Sequence, residues 1–201
     1  ETLQMQELYH GYDHQRLQVD FSLHAEYTTS EKIVRGIAEA AAAAGLGIHC
    51  HVSETAFEVV GCRERHQGQS PVRYLCDLGV FDVPTTAAHC VHIDDDDIAI
   101  LAEKRVNVAS CPKSNMKLAS GFCPVKKLLQ SGVNVALGTD SVASNNNLNM
   151  LEELKTFALI HKGVSGDPTY ITPTEALYAA TRAGALSQGR QDCGYIKEGY
   201  R

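Results

Sequence analysis

The sequence has no tryptophan, no apolar run near the ~20 residues that a membrane span requires, and no cluster of lysine and arginine. The lack of a long apolar run predicts a protein without a membrane-spanning segment. Acidic residues outnumber basic ones by 24 to 18, and the net charge of −6 gives no electrostatic footprint for nucleic acid. Because 44% of the residues are hydrophobic, we predict a globular chain whose partner is neither a membrane nor a nucleic acid.

Paired cysteine motifs are also missing. The seven cysteines are odd in number, and no two of them form a CxxC pair. Reduced thiols of this kind are typical of the cytoplasm, where disulfides are rare. The opening stretch lacks the basic segment and apolar core of a signal peptide. We therefore predict a cytoplasmic protein, and residues 194–201 have the character of a chain that continues into further structure.

Short apolar segments typical of β-strands alternate along the chain with longer helical segments. Several of these apolar segments have no polar face, which favours parallel strands covered on both sides. The predicted strands cover residues 17–24, 46–52, 85–92, 106–111 and 133–138. Capping residues, prolines and glycines predict helices over 30–45, 70–79, 124–132, 149–162 and 172–184, with a further one starting at 94–97.

The helix predicted at 149–162 is amphipathic, because Leu151, Leu154, Ala158 and His161 share one face. The alternation of strands and helices implies a parallel sheet, which either closes into a (β/α) barrel or stays open and doubly wound. We divide the chain into residues 1–16, a linker or helix, and residues 17–201, a partial barrel.

Polar side chains at the strand ends distinguish the two architectures. Each predicted strand carries one such group at its carboxyl end, namely His24, His51, His89, Ser110 with Cys111, and Asp140. Barrel active sites are assembled at that edge. A nucleotide-binding open sheet would show a glycine-rich turn after its first strand, and neither GxGxxG nor GxxxxGK[ST] occurs. The sequence therefore favours the barrel.

The segment from His49 to Glu54 has the strongest chemical signal. His49 and His51 point to the same side of an extended strand, and Glu54 follows just past its end. A metal-ligating histidine with a carboxyl group three residues later supplies a Lewis acid and a proton carrier for metal-assisted hydrolysis. The alternative is that these histidines are hydrogen-bonded core residues. His89 and Asp140, which end two further strands, add an imidazole and a carboxylate to the same rim.

Four segments together resemble the amidohydrolase superfamily: HCHVSET at 49–55, AAHCVH at 87–92, SNMKLASG at 114–121 and GTDSVASNNNLNM at 138–150. They are most similar to the branch of 5-methylthioadenosine/S-adenosylhomocysteine deaminases, with guanine and cytosine deaminases and triazine chlorohydrolases as relatives. The resemblance implies an α/β fold, a (β/α)8 TIM barrel of which this chain supplies about strands four to eight. It also implies hydrolytic deamination of an amino-substituted nitrogen heterocycle, with water as co-substrate and one divalent metal ion, zinc favoured and iron the alternative.

The resemblance also implies roles for single residues. His51 matches the metal ligand of strand five, and Glu54 matches the general acid that protonates the heterocycle. His89 matches the histidine that hydrogen-bonds the attacking water and the developing tetrahedral oxygen. Asp140 matches the aspartate that binds metal and takes the proton from water. His24 matches a histidine that contacts substrate, as Glu54 and His89 also would.

Other residues near these motifs are expected to act indirectly. For His49 the expectation is a buried supporting role, with direct ligation as the alternative. His92 is expected to be structural, and Asn145 and Asn146 are expected to fix the loop after Asp140. The remaining histidines have no carboxylate or cysteine partner at metal-ligand spacing and are expected on the surface or in the core: His10, His14, His66 and His161.

One feature of the superfamily is missing. Its HxH pair of metal ligands at the end of strand one has no counterpart before His24, since His10 and His14 are four residues apart. The resemblance favours an adenosine-type nucleoside as substrate, S-adenosylhomocysteine or methylthioadenosine, with a guanine, a cytosine or a triazine as the alternative. Because the HxH pair is missing, a catalytically silent chain whose sheet edges pair with a second copy is an alternative to any enzyme. A homo-oligomer is compatible with either. A nucleophile formed by Cys90 with His51 or His89 is a further alternative.

Overall fold

Five parallel strands form one sheet in the computed structural model, which describes all residues from 1 to 201. Each strand pairs with the next one along the chain, so the sheet order is β1 to β5. The strands are Phe21–Leu23, Ile48–Val52, Thr85–His89, Asn107–Ser110 and Val135–Leu137. This topology confirms the predicted α/β class with parallel strands adjacent in chain order.

Helices occupy the connections between the strands. Those before β5 are α1 Thr2–Tyr9, α2 Glu31–Ala44, α3 Ala56–Arg65, α4 Pro71–Asp77, α5 Asp95–Glu103, α6 Pro112–Lys117 and α7 Val125–Gln130. Those after β5 are α8 Val142–Asn145, α9 Met150–Ser165, α10 Pro173–Tyr178 and α11 Gly184–Ser187. Short helical turns lie at Tyr12–Gln15, Glu26–Thr28 and Val80–Asp82. No helix combines the length and the apolar character needed to cross a membrane.

The capping residues place the helix starts where the sequence predicts them. Asp94 and Thr172 both form capping boxes, and the Asn149 side chain accepts hydrogen bonds from two main-chain N–H groups of α9. The last predicted helix does not end near Gly184. It continues through a π-helical turn at Ala179–Ala183 to Ser187, because the backbone of Gly184 stays in the right-handed helical region.

The strands are shorter than their apolar segments. The first prediction covers 17–24, but only Phe21–Leu23 pair with a neighbour. Strand β5 likewise covers three of the six residues predicted. An apolar run records which residues are buried, whereas a strand also needs a hydrogen-bonding neighbour at each position. Before β1 the predicted residues are not buried either, since Leu17 is 45% exposed and residues 18 and 20 are exposed as well.

Successive side chains of β2 point alternately to the hydrophobic core and to the opposite face of the sheet. Ile48, Cys50 and Val52 are at most 2% exposed and belong to the main hydrophobic core. His49 and His51 point to the opposite face of the same strand. The fold thereby packs the apolar side chains against the helices and leaves the imidazoles at the inner face.

Helix α9 buries a face that partly matches the predicted one, with His161 buried and Leu154 and Ala158 partly buried, but the prediction for Leu151 is wrong. Leu151 is 77% exposed, whereas Glu153, Phe157 and His161, spaced four residues apart, are buried. Leu154 and Ala158 only pack against the margin of the core. The reason is that the large ring of Phe157 fills the core position, which rotates Leu151 out to solvent.

This packing makes a direct prediction for stability. Phe157→Ala should lower the free energy of unfolding by about 3–5 kcal/mol, because a fully buried ring leaves a cavity. Leu151→Ala on the same helix should change it by less than about 0.5 kcal/mol, since that side chain is exposed. Urea denaturation measures both, and equal losses in the two variants would contradict the observed helix orientation.

Candidate functional site

Three histidines meet at the carboxyl edge of the sheet. The ring centroids of His24 and His51 lie 5.0 Å apart, and those of His51 and His89 lie 5.4 Å apart in a stacked arrangement. His89 and Asp140 have left-handed backbone φ angles of 72° and 59°. Such conformations are costly for residues other than glycine and cluster at functional sites. The rim that the sequence predicts thus forms one group of side chains.

The orientation of His51 suits a metal ligand. Its Nδ1 lies 2.6 Å from the main-chain carbonyl oxygen of His24. A carbonyl oxygen only accepts hydrogen bonds, so Nδ1 carries the proton and donates it. The Nε2 lone pair is then free, which is the arrangement seen in metal-binding histidines whose other nitrogen donates to a fixed acceptor.

Asp140 is held by three donors. Its carboxylate accepts hydrogen bonds from the Ser114 hydroxyl at 2.6 Å, the Ser144 hydroxyl at 2.6 Å and the Ser141 N–H at 2.7 Å. Burial raises the pKa of Asp140, but these hydrogen bonds and the nearby His89 outweigh burial, so the pKa lies below its ordinary value. A carboxylate has about four lone-pair sites. One site therefore remains for a metal ion or a water molecule.

His89 is buried and faces Glu54. Its Nδ1 donates to Oδ1 of Asn115 at 2.8 Å, which directs Nε2 towards the Glu54 carboxylate, 3.7 Å from Oε2. That separation is too long for a direct hydrogen bond and leaves room for both groups to address a third atom. Asn115 is a functional neighbour that sequence reasoning missed, although it lies within the quoted segment 114–121.

The Glu54 side chain is 20% exposed and reaches towards a second loop. The Ser120 hydroxyl lies 3.4 Å from Oε1 of Glu54, and the Ser120 carbonyl oxygen accepts a hydrogen bond from Nε2 of His92 at 2.6 Å. His92 thus ties two loops together, in keeping with the structural role expected for it.

Two buried carboxylates support these groups from helices. Glu58 on α3 accepts hydrogen bonds from the N–H groups of Ser53 and Glu54, at 2.9 and 2.7 Å. Glu153 on α9 accepts hydrogen bonds from the Lys113 N–H at 2.9 Å and the Asn145 side-chain amide at 2.8 Å. Neither was singled out from the sequence, because a lone glutamate in a helix ordinarily faces solvent.

The loop after Asp140 is fixed by its asparagines. The Asn145 amide also donates to the Thr139 carbonyl oxygen at 2.6 Å. Oδ1 of Asn146 accepts a hydrogen bond from Nζ of Lys117 at 2.6 Å. These contacts join the loop to α6 and α9, which agrees with the loop-fixing role predicted for both residues.

The buried supporting role expected for His49 is wrong for this chain. Its side chain shares the inner face with His51, but the residue is exposed and makes no side-chain hydrogen bond. His49 instead lines an open cavity together with His10, Ser187 and Arg190, so alternation along the strand does not lead to burial there.

The expectation that His66 lacks a carboxylate or cysteine partner is also wrong. Its Nε2 lies 2.8 Å from the buried carboxylate of Glu26, and Cys62, four residues earlier on α3, joins the group. The Arg65 guanidinium already binds both Glu26 oxygens, at 3.2 and 2.7 Å. A metal ion bound here would have to displace the positively charged Arg65 guanidinium from Glu26. We therefore interpret the cluster as an ion-pair network. Glu26 is 40 residues from His66, and only the parallel crossover brings them together.

The cysteines near the site are unsuited to nucleophilic chemistry. Cys50 and Cys90 are fully buried, and all seven cysteines are free thiols. Burial raises the pKa of Cys50 to about 12 and that of Cys90 well above its ordinary value. Because the thiolate is the nucleophile, the pairing of Cys90 with His51 or His89 is disfavoured.

His161 lies away from the site and makes stability depend on pH. It is 4% exposed, its Nε2 has no hydrogen-bond partner, and burial lowers its pKa to about 4. The unfolded chain binds a proton below its ordinary pKa of 6.5, but the folded chain does not until about 4. The free energy of unfolding should therefore fall by about 2 kcal/mol between about pH 7.5 and about pH 5. Urea denaturation at both pH values should show this loss in the wild type, and a His161→Phe variant with the same loss would contradict it.

Comparison with known proteins shows which family the chain is similar to. The amidohydrolase family model matches residues 2–201. The chain is 50% identical over 186 residues to a 5-methylthioadenosine/S-adenosylhomocysteine deaminase of Pelotomaculum thermopropionicum, covering 92% of this chain and 43% of that protein. It thus spans less than half the length of that relative.

Two solved structures share the fold. An adenosine deaminase from Xanthomonas campestris with bound zinc superposes with a TM-score of 0.90 at 36% identity, over 97% of this chain and 45% of that one. A guanine deaminase from C. acetobutylicum with bound guanine superposes with a TM-score of 0.89 at 25% identity, over 99% of this chain and 48% of that one. The five-stranded sheet therefore corresponds to part of an amidohydrolase TIM barrel, and the chain belongs to the amidohydrolase family.

Proposed function

We propose that this chain supplies the proton-transferring groups and part of the metal site of a hydrolytic deaminase that acts on an amino-substituted nitrogen heterocycle. One observation carries the proposal. The His51 ring, with Nδ1 fixed by a carbonyl oxygen, stacks on His89, whose Nε2 faces the Glu54 carboxylate. The groups that we propose as metal ligand, hydrogen-bonding imidazole and proton carrier thus lie side by side.

We propose that His51 and Asp140 take part in holding a single divalent metal ion, with zinc favoured and iron the alternative. His51 offers a free Nε2, and Asp140 offers an unused lone pair on a carboxylate held by three donors. Imidazole and carboxylate together suit zinc. When bound, such an ion acts as a Lewis acid and lowers the pKa of water towards about 7.

The side chains divide the proton transfers among themselves. Asp140 is an ionised carboxylate and accepts the proton of the attacking water, at the oxygen from which one serine hydroxyl withdraws its hydrogen bond. Glu54 delivers a proton to the ring nitrogen next to the amino-bearing carbon, so that the carbon accepts the water oxygen. Nδ1 of His89 donates its proton to Asn115, so Nε2 is a hydrogen-bond acceptor and orients the attacking water by accepting a hydrogen bond from it. Asp140 then passes its proton to the amino group, which leaves as ammonia when the C–N bond breaks. The hydroxyl left on the carbon gives its proton to Glu54 as the C=O bond forms, which restores Glu54 for the next cycle.

The favoured substrate is an adenosine-type nucleoside such as S-adenosylhomocysteine or methylthioadenosine. Support comes from the 50% identical relative, which is named for deamination of these compounds. His24 lies at the exposed rim beside His51, where it would contact such a substrate. A guanine, a cytosine or a triazine is the alternative. The free thiols favour the cytoplasm as the site of action.

Ammonia release and bound metal test the proposal. We would compare this 201-residue chain with a chimera in which the parts of the Pelotomaculum thermopropionicum deaminase outside the matched region are joined to it. The chain alone should hold little zinc and release no ammonia, because His51 and Asp140 are two ligands where catalytic zinc generally uses about three. The chimera should bind about one ion per chain and deaminate S-adenosylhomocysteine, methylthioadenosine or adenosine.

Other outcomes would redirect the assignment. Ammonia from guanine or cytosine alone, or chloride from a chlorotriazine, would replace the nucleoside with the alternative substrate. Stoichiometric metal with deamination by the 201-residue chain alone would show that its ligand set is sufficient. A chimera that binds no metal and releases no ammonia, while the chain alone forms dimers, would favour the catalytically silent alternative.

A further inference from the structure

Glu58 lies directly beneath the turn that carries Glu54. It is 4% exposed and sits in the first turn of α3. Its two carboxylate oxygens accept hydrogen bonds from two successive main-chain N–H groups, Oε1 from Ser53 at 2.9 Å and Oε2 from Glu54 at 2.7 Å. The Thr55 hydroxyl accepts a hydrogen bond from the Glu58 N–H at 3.1 Å, which closes the helix cap. The whole turn is therefore built around this carboxylate.

This carboxylate has no cationic partner. None of the ion pairs of the chain includes Glu58, and burial raises its pKa while the main-chain hydrogen bonds act against that rise. Burial of an unpaired carboxylate is costly, so an apolar side chain would serve packing better. The two hydrogen bonds from the Ser53 and Glu54 N–H groups offset part of this cost, and they hold the turn after β2 in place.

The turn that these bonds hold is strained and fixed from both sides. Ser53 has a left-handed φ of 52°, which turns the chain out of β2 and aims Glu54 at His89. The Ser53 carbonyl oxygen accepts hydrogen bonds from the N–H groups of Val91 and His92, at 3.1 and 2.9 Å. Glu58 fixes the N–H side of the same residue. The direction of the Glu54 side chain therefore depends on Glu58.

We propose that Glu58 is a positioning residue for the proton carrier Glu54. This inference rests on the proposed function for the role of Glu54, but the hydrogen bonds themselves do not. Two acceptor oxygens are required, one for each N–H. A glutamine of equal size has one acceptor oxygen and would turn its own N–H donors against the second main-chain N–H.

Glu58→Gln in the chimera tests the proposal. We expect kcat to fall about 10–100-fold, since an error near 1 Å in the placement of a catalytic group can cost about 10²-fold. KM should change less than about twofold and bound zinc should be unchanged, because Glu58 touches neither ligand nor substrate. Hydrogen exchange of the Ser53 and Glu54 amides should become faster, while that of the His51 amide, bonded to the His24 carbonyl oxygen, stays slow.

Glu175→Gln is the matched control. Glu175 also accepts a main-chain N–H, from Thr172 at 2.7 Å, but at the start of α10. This variant should keep wild-type kcat. A double variant with Glu54→Gln should lose no more activity than Glu54→Gln alone, because Glu58 acts only through Glu54.

Several outcomes would overturn the inference. Wild-type kcat in Glu58→Gln would show that the turn keeps its geometry without the second acceptor. A parallel loss of kcat, zinc and thermal stability would assign Glu58 a general structural role. Should Glu58→Gln not fold, Glu58→Asp retains the charge but is one methylene shorter, and wild-type kcat in that variant would overturn the inference equally. If the wild-type chimera lacks deaminase activity, the proposed function fails, whereas amide exchange still decides whether Glu58 holds the turn.

Discussion

Replacing Glu54 with glutamine in the chimera should lower kcat for deamination by about 10²–10⁴-fold, the range that a positioned acid or base contributes. The amide has nearly the same shape but cannot deliver a proton to the ring nitrogen. Bound zinc should not change, because Glu54 faces His89 as a proton carrier. Steady-state ammonia release and elemental analysis of the same preparation give both quantities.

Glu64→Gln is the control for this variant. Glu64 lies on α3 as well, but its side chain is exposed and takes no part in the site. It should keep full activity and metal content. Loss of zinc in Glu54→Gln would mean that Glu54 is a ligand, and the assignment of proton carrier would then be wrong.

The second large effect is expected at Asp140. Asp140→Asn should weaken zinc binding by more than about 10²-fold, since loss of groups that only orient a ligand already costs about 10–100-fold. It should also lower kcat by at least about 10²-fold even at saturating zinc, because the amide cannot accept the proton of water. Zinc titration and activity measured over the same range of concentrations separate the two losses.

A comparable carboxylate elsewhere provides the control. Asp167 also accepts hydrogen bonds from a main-chain N–H and a hydroxyl, those of Thr169, but lies on the surface. Asp167→Asn should leave zinc binding and kcat unchanged. Full activity of Asp140→Asn at saturating zinc would leave Asp140 as a ligand only and move the role of base to another residue.

The strands and the rim could be predicted because both leave local signals. Parallel strands appear as apolar runs, and their functional residues stand where the runs stop, as His51, His89 and Asp140 do. The motif resemblance then assigned roles to these positions. Their ligand and proton-transfer roles remain predictions until variants are measured.

The supporting residues could not be predicted, because their partners are distant or are main-chain groups. Glu153 contacts Lys113 from 40 residues away, and nothing local marks it as buried. Glu58 binds N–H groups, which every sequence contains. The Leu151 error has a similar origin, since a helix shows several apolar faces and packing selects one. Sequence patterns report burial on average, whereas hydrogen-bond partners follow from tertiary structure.

The hydrogen bond between His51 and residue 24 has a consequence for how this site could diversify. The acceptor is the main-chain oxygen of residue 24, so every amino acid at that position presents the same group to the His51 ring. The side chain of residue 24 is exposed at the rim, where its ring lies 6.3 Å from that of Tyr27. We therefore expect a substitution at position 24 to leave the tautomer and the direction of the His51 imidazole unchanged, so that under the proposed function this position could alter substrate preference alone.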